Sequence, residues 1–204
     1  LAAGDATSGR LDGAELHLLH RLAVLGVEGA VLGASGENGH HIRAALDGLP
    51  RRLRDPGGAF VTLKRGGRLR GCFGYIFPEK PLYQAVFENG VNAAVNDTRF
   101  EPLAADELSD LEVEVSILSA PQRIASHEAF RVGEEGVVLH KDGHRAVFLP
   151  EVATQAGWTR EETLTYLALK AGLPADAWRN GATLEVFRTT KYGAPYAVQA
   201  SSGR

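Results

Sequence analysis

The chain reads as an α+β protein, and three observations carry that reading. One segment, Leu111–Leu118, alternates apolar and polar residues strictly. Two strand pairs each close on a two-residue turn containing glycine. Two helical repeats open on capping boxes. Asp12-Gly13-Ala14-Glu15 is the first box, with Asp12 as N-cap. Leu16, Leu19, Ala23, Val27 and Ala30 then recur at helical spacing up to Gly33. Ala34–Asn38 reads as a loop, and His40–Leu53 as a short helix stopped or kinked by Pro50. Ala59–Lys64 and Arg68–Ile76 predict a hairpin about Gly66-Gly67. Pro81–Asn96 predicts a helix with Pro near its first turn. Leu82, Ala85, Val86, Asn89 and Ala93 form its inner face, and Gly90 weakens it slightly.

In Leu111–Leu118, Leu111, Val113, Val115 and Ile117 should face a core, with Glu112 and Glu114 turned away. Gly136–Leu149 predicts a second hairpin, folded at Asp142-Gly143. Thr159-Arg160-Glu161-Glu162 opens a helix that ends at Gly172, and Thr183–Thr190 is the last expected strand. Residues 1–11 and 193–204 read as tails around one domain, 12–192. Paired strands mixed with helices, without strict βαβ order, imply a largely antiparallel sheet with flanking helices.

Composition narrows the function. A net charge of -3 and a pI near 6.2 argue against generic nucleic-acid binding. No signal peptide and no membrane-length apolar run is present. The single cysteine excludes an internal disulfide framework and a cysteine-rich zinc site, and fits a reducing cytoplasm. The chain has no methionine, which suggests a piece trimmed or cut from a longer polypeptide.

The least generic segment is Leu69-Arg70-Gly71-Cys72-Phe73-Gly74. On a regular strand, Arg70 and Cys72 share a face, about 6.6 Å apart. Gly71 and Gly74 remove side-chain bulk and let another group approach. Cys72 is then either a small packed residue or a thiol lining a site, and the glycines either mark a bulge or open that site. Asp97 and Arg99, after the long helix, are the second candidate segment. Arg99 suits a carboxylate or phosphate, and a structural ion pair is the alternative.

Other groups carry less. Glu112 and Glu114 are either paired carboxylates for proton transfer or a solvated strand face, with Glu114–Arg70 as a possible cross-strand pair. His17 and His20, His40-His41, and His140 with His144 are scattered, so no metal and no cofactor is expected in the isolated chain. No phosphate-binding glycine loop, dinucleotide fingerprint or serine-nucleophile elbow is present.

Phe60-Val61-Thr62-Leu63-Lys64, the Arg70-Gly71-Cys72 segment, Asn96-Asp97-Thr98-Arg99-Phe100, Leu111–Leu118 and Phe148-Leu149-Pro150 occur in an order that resembles the AMME syndrome candidate region family. Prokaryotic members of that family are called AmmeMemoRadiSam system protein A. The resemblance spans roughly Leu16 to Tyr192. It implies an α+β fold of two unequal lobes with a cleft. It also implies two partners: a Memo-like protein related to class III extradiol dioxygenases, and a radical SAM protein. It implies no reaction. The chain departs from the family pattern at Phe73, Val95, Thr98 and Glu101.

Two function classes follow. One is a binding module that presents Cys72, Arg70, Gly71, Gly74, Asp97 and Arg99 to a partner or a small anionic ligand. The other is a small cytoplasmic enzyme with Cys72 as nucleophile or thiol donor, Arg70 stabilising its thiolate and Arg99 orienting an anionic substrate. No histidine adjoins the thiol in sequence, which favours binding.

Overall fold

The computed structural model describes residues 11–33, 36–77 and 79–196. In chain order the elements are α1 (Gly13–Leu32), α2 (Gly36–Leu46), β1 (Ala59–Arg65), β2 (Arg68–Tyr75), α3 (Leu82–Val95), β3 (Leu111–Leu118), β4 (Gln122–Arg123), β5 (Gly136–Lys141), β6 (His144–Phe148), α4 (Pro150–Ala156), α5 (Arg160–Lys170), β7 (Thr183–Phe187) and β8 (Thr189–Pro195). The fold is α+β, and its strands divide between two antiparallel sheets, ordered β2-β1-β3-β8 and β4-β7-β5-β6. Contacts group the chain into two units: residues up to Ile117 with those from Thr190 onward, and Leu118–Thr189.

In the first unit the alternation of β3 decides the packing. Leu111, Val113, Val115 and Ile117 are buried, while Glu112 and Glu114 are half-buried. Ala59, Val61 and Leu63 of β1 join the same core, with Leu19, Ala23 and Val27 of α1 and Val86 and Ala93 of α3. Asp12 caps α1 as the sequence predicts: its carboxylate accepts from the Glu15 amide, and the Glu15 carboxylate accepts from the Asp12 amide. Gly90 has a packing reason that outweighs its helix cost. A Cβ there would meet the Ala23 carbonyl of α1 at 2.4 Å, so the residue lets α1 and α3 cross closely.

Three boundaries differ from expectation. Helix α2 begins at Gly36, inside the segment expected as a loop, and it ends before Pro50. Its glycines read as breakers locally, but Ile42, Ala45 and Leu46 pack on the core and carry the helix. Residues 34 and 35 lie outside the described ones. The chain after Phe187 does not stop at Thr190: β8 runs to Pro195 and joins the first sheet beside β3. The tail expected from Gly193 is therefore strand for its first three residues, while 1–10 and 197–204 lie outside the described residues.

In the second unit, Val137, Leu139, Leu164, Leu167, Trp178 and Leu184 form the core. The β5–β6 turn has Asp142 at φ 50° and Gly143 at φ 79°, the left-handed pair that a two-residue hairpin requires. Thr159 caps α5 through Glu162, and Gly172 follows its end at φ 76°.

Candidate functional site

Strand β2 lies at the end of its sheet, so among the described residues one of its edges has no strand partner. Cys72 faces Thr62 across the β1–β2 ladder, and Thr62 faces Glu114 across β1–β3. These three side chains share the face opposite the core. The Cys72 sulfur lies 3.4 Å from Thr62 Oγ1.

The Asp97 carboxylate covers the open edge at this point. Its Oδ2 accepts the Cys72 backbone N–H at 2.8 Å. The same carboxylate accepts the Arg99 amide at 3.2 Å, Arg99 Nε at 2.9 Å and Arg99 Nη2 at 2.7 Å. Asp97 is half-buried, with 7% of its side chain exposed, whereas the Arg99 side chain is 57% exposed. The Arg99 guanidinium, followed by the amide donors, holds the Asp97 carboxyl at about 2, well below its ordinary 3.8. Arg99 is pushed up in turn, chiefly by Asp97 and also by the Cys72 thiol.

Arg70 is placed elsewhere. Leu63 pairs with Gly71 and Lys64 with Leu69, so a β-bulge leaves Arg70 opposite no residue of β1. The regular alternation behind the expected Arg70–Cys72 pairing is interrupted at that residue. Arg70 instead forks onto Glu107, Nε to Oε1 at 2.8 Å and Nη2 to Oε2 at 2.7 Å. It also donates to the Glu101 carbonyl at 3.0 Å. Glu107 accepts the Ala104 amide as well, and these donors, Arg70 first, hold its carboxyl at about 2. Both guanidinium groups lie over the Phe100 ring, Arg70 at 6.0 Å and Arg99 at 5.6 Å. Arg70 and Glu107 thus pin the 97–107 loop along the β2 edge.

The two glycines have separate reasons. A Cβ on Gly71 would meet the Ala93 carbonyl of α3 at 2.2 Å, and one on Gly74 would meet the Phe60 ring at 2.3 Å. Gly71 lets the helix approach the strand, and Gly74 makes room for an aromatic neighbour.

Glu114 does not pair with Arg70. Strand β1 lies between β2 and β3, and Lys64 of β1 reaches Glu114 at 2.8 Å. The sequence reading missed Glu107 and Thr62. A glutamate three residues after Ala104, able to cap its amide, was the available signal for Glu107.

The histidines are separate. His20 Nε2 donates to the Val113 carbonyl at 3.0 Å, and burial pushes its pKa down. His17 Nδ1 lies 3.2 Å from the Tyr192 hydroxyl. Among the described residues, no group of three or more His, Cys, Asp or Glu is placed to hold a metal ion. Nor is any helix among them long and apolar enough to cross a membrane.

The AMMECR1 family model matches residues 30–192. The chain belongs to the AMMECR1 family. It is 42% identical over 138 residues to a protein of Methanothermobacter thermautotrophicus, covering 65% of this chain and 72% of that one. It is 38% identical over 196 residues to a protein of Thermofilum pendens, covering 88% and 89%. The crystal structure of the uncharacterized protein PH0010 from Pyrococcus horikoshii is similar at a TM-score of 0.72 and 29% identity, over 91% of this chain and 94% of that one. Both AMMECR1 segments singled out above, around Cys72 and around Asp97, fall inside the matched range.

Proposed function

We propose that this AMMECR1 chain is the protein A-type component of an AmmeMemoRadiSam system, acting in the cytoplasm with a Memo-like protein and a radical SAM protein. Its role there is binding. The Cys72–Arg99 surface receives a small anionic group, a carboxylate or phosphate. The observation that supports this most is the Asp97 carboxylate, which joins the Cys72 backbone to the Arg99 guanidinium. Arg99 is held in one orientation yet is more than half exposed, so it loses little freedom when an anion arrives. Gly71, Cys72 and Gly74 shape the strand beside it, and Arg70 supports the loop rather than touching the ligand.

A second reading makes Cys72 a nucleophile or thiol donor. Its support is the position of the thiol beside Thr62 and Arg99. Neither neighbour is a general base, which a thiol nucleophile ordinarily uses, and binding therefore stands first.

The test is purification together with the genomic neighbours, followed by metabolite profiling, for wild type, Arg99→Ala and Cys72→Ala. Binding predicts that Arg99→Ala, still folded at the assay temperature though melting lower because Asp97 loses its main partner, loses the partner or the co-purified anion. Full retention by Arg99→Ala overturns the reading. Loss of a metabolite conversion in Cys72→Ala, with partner capture intact, favours the enzyme.

A further inference from the structure

The register of β2 decides which of its backbone groups point away from β1. Cys72 pairs with Thr62, Phe73 with Val61 and Gly74 with Phe60, with no shift between them. In an antiparallel ladder, successive residues turn their N–H and C=O to opposite sides. The Cys72 N–H points outward, since Asp97 accepts it. The Cys72 carbonyl and both backbone groups of Gly74 therefore point outward as well. Among the described residues, no turn, loop or side chain takes these three groups. Edges are ordinarily blunted by a bulge or a charge. On β2 the bulge at Arg70 and the Asp97 carboxylate do so only as far as the Cys72 N–H. Beyond it Gly74 is half-buried and carries no side chain, and Tyr75 is exposed.

Arg99 stands where the blunting ends. Its Nη2 and the Cys72 N–H donate to the same Asp97 oxygen, at 2.7 and 2.8 Å. Asp97 takes two of the five guanidinium N–H donors. On the other face of β2, the Phe73 and Tyr75 rings meet edge to face, 5.7 Å between centroids.

We propose that this edge receives the C-terminal end of an extended polypeptide, added antiparallel to β2 with its carboxylate on Arg99. The inference rests on the reading of the Cys72–Arg99 surface as a receptor for an anionic group, and it names that group. Three backbone hydrogen bonds hold the added strand. Its antepenultimate residue exchanges two with Gly74, and its last N–H donates to the Cys72 carbonyl. Asp97 excludes a fourth, because it already holds the Cys72 N–H. The added strand therefore ends there. An antiparallel strand ends in a carboxylate, which Arg99 attracts. A parallel one would bring its ammonium to the same guanidinium. The penultimate residue stands opposite Phe73, and the residue two before it stands opposite Tyr75. Apolar side chains suit both places.

NMR titration of the nitrogen-15-labelled full chain tests this. The probe is an acetylated tetrapeptide, valine-threonine-valine-threonine, with a free carboxylate. It is expected to shift the Gly74 amide and Arg99 Nε signals together, to saturation. The C-terminal amide of the same peptide is expected to bind about tenfold more weakly or worse. N-methylation of the first threonine removes the donor to the Gly74 carbonyl, and is expected to weaken binding by about tenfold or more. N-methylation of the second valine, whose N–H points away from β2, is expected to be tolerated. Equal binding of the two methylated peptides, or of acid and amide, overturns the proposal. So does a Gly74 shift that follows protein concentration without peptide, which assigns the edge to a second copy of the chain. If acetate moves the Arg99 signal as far as the peptide does and Gly74 stays still, the peptide inference fails and the anion reading stands. If acetate, phosphate and the peptide all leave Arg99 unmoved at millimolar concentration, both fail.

Discussion

Replacing Asp97 by asparagine removes one charge from the point where the β2 edge, the 97–107 loop and Arg99 meet. The carboxylate accepts the Cys72 amide, the Arg99 amide and two Arg99 guanidinium N–H groups. Asparagine keeps one acceptor oxygen and puts an NH2 donor where the second stood, against donors on all sides. The native carboxyl titrates at about 2, against an ordinary 3.8. A shift of that size corresponds to about 2 kcal/mol, since each unit is worth about 1.4 kcal/mol. For a chain of this length, that lowers Tm by about 4–8 °C.

The sign of the pH dependence follows from the lowered value. The contribution is complete above the unfolded value of 3.8 and is lost as pH falls through the native value of about 2. The gap between wild type and Asp97→Asn should therefore be full at pH 7, about half as large at pH 3, and smaller still below that. Urea unfolding at pH 7, 5, 4 and 3 measures it. A variant that unfolds with wild type at pH 7, or a gap that grows on acidification, refutes the account of Asp97 as the clamp on this edge.

Gly71→Ala should lower the urea midpoint by the equivalent of about 1–3 kcal/mol, because its Cβ would overlap the Ala93 carbonyl. An unchanged midpoint would show that α3 does not press on β2 there. Glu107→Gln should cost about 2 kcal/mol at pH 7 through the lost charge on Arg70. Because Glu107 is held at about 2 rather than 4.5, the cost should shrink below pH 4, as thermal melts across that range will show. Cys72→Ser should change stability by less than about 1 kcal/mol, since Thr62 Oγ1 is within reach of the new hydroxyl. Partner or anion binding by Cys72→Ser should nevertheless fall if the thiol lines the proposed surface, and paired melting and capture measurements separate the two effects.

Much of the fold was legible because it depends on short-range periodicity. The alternation of Leu111 to Ile117, the φ > 0 turns at Gly66-Gly67 and Asp142-Gly143, and the caps at Asp12 and Thr159 are decided by residues within a few positions of one another. Where long-range packing competes with local preference, the reading failed. The glycines of 36–39 look like a loop, but the apolar residues that follow carry α2 against the core. Gly193–Pro195 look like a tail, but β3 offers them an edge to pair with.

The site divides along the same line. Sequence by itself determined that the Cys72 segment is a glycine-flanked strand and that Asp97 and Arg99 follow a helix ending near residue 95. Only the tertiary structure decided which charges meet. A bulge at Arg70 sends that guanidinium to Glu107, and the return of the α3 loop along the β2 edge brings Arg99 to Cys72. The placement of β1 between β2 and β3 gives Glu114 to Lys64 instead of Arg70. Periodicity specifies which face a side chain takes. Strand order, bulges and loop return specify which charge lies opposite it, and these arise from contacts between residues 25 to 50 positions apart.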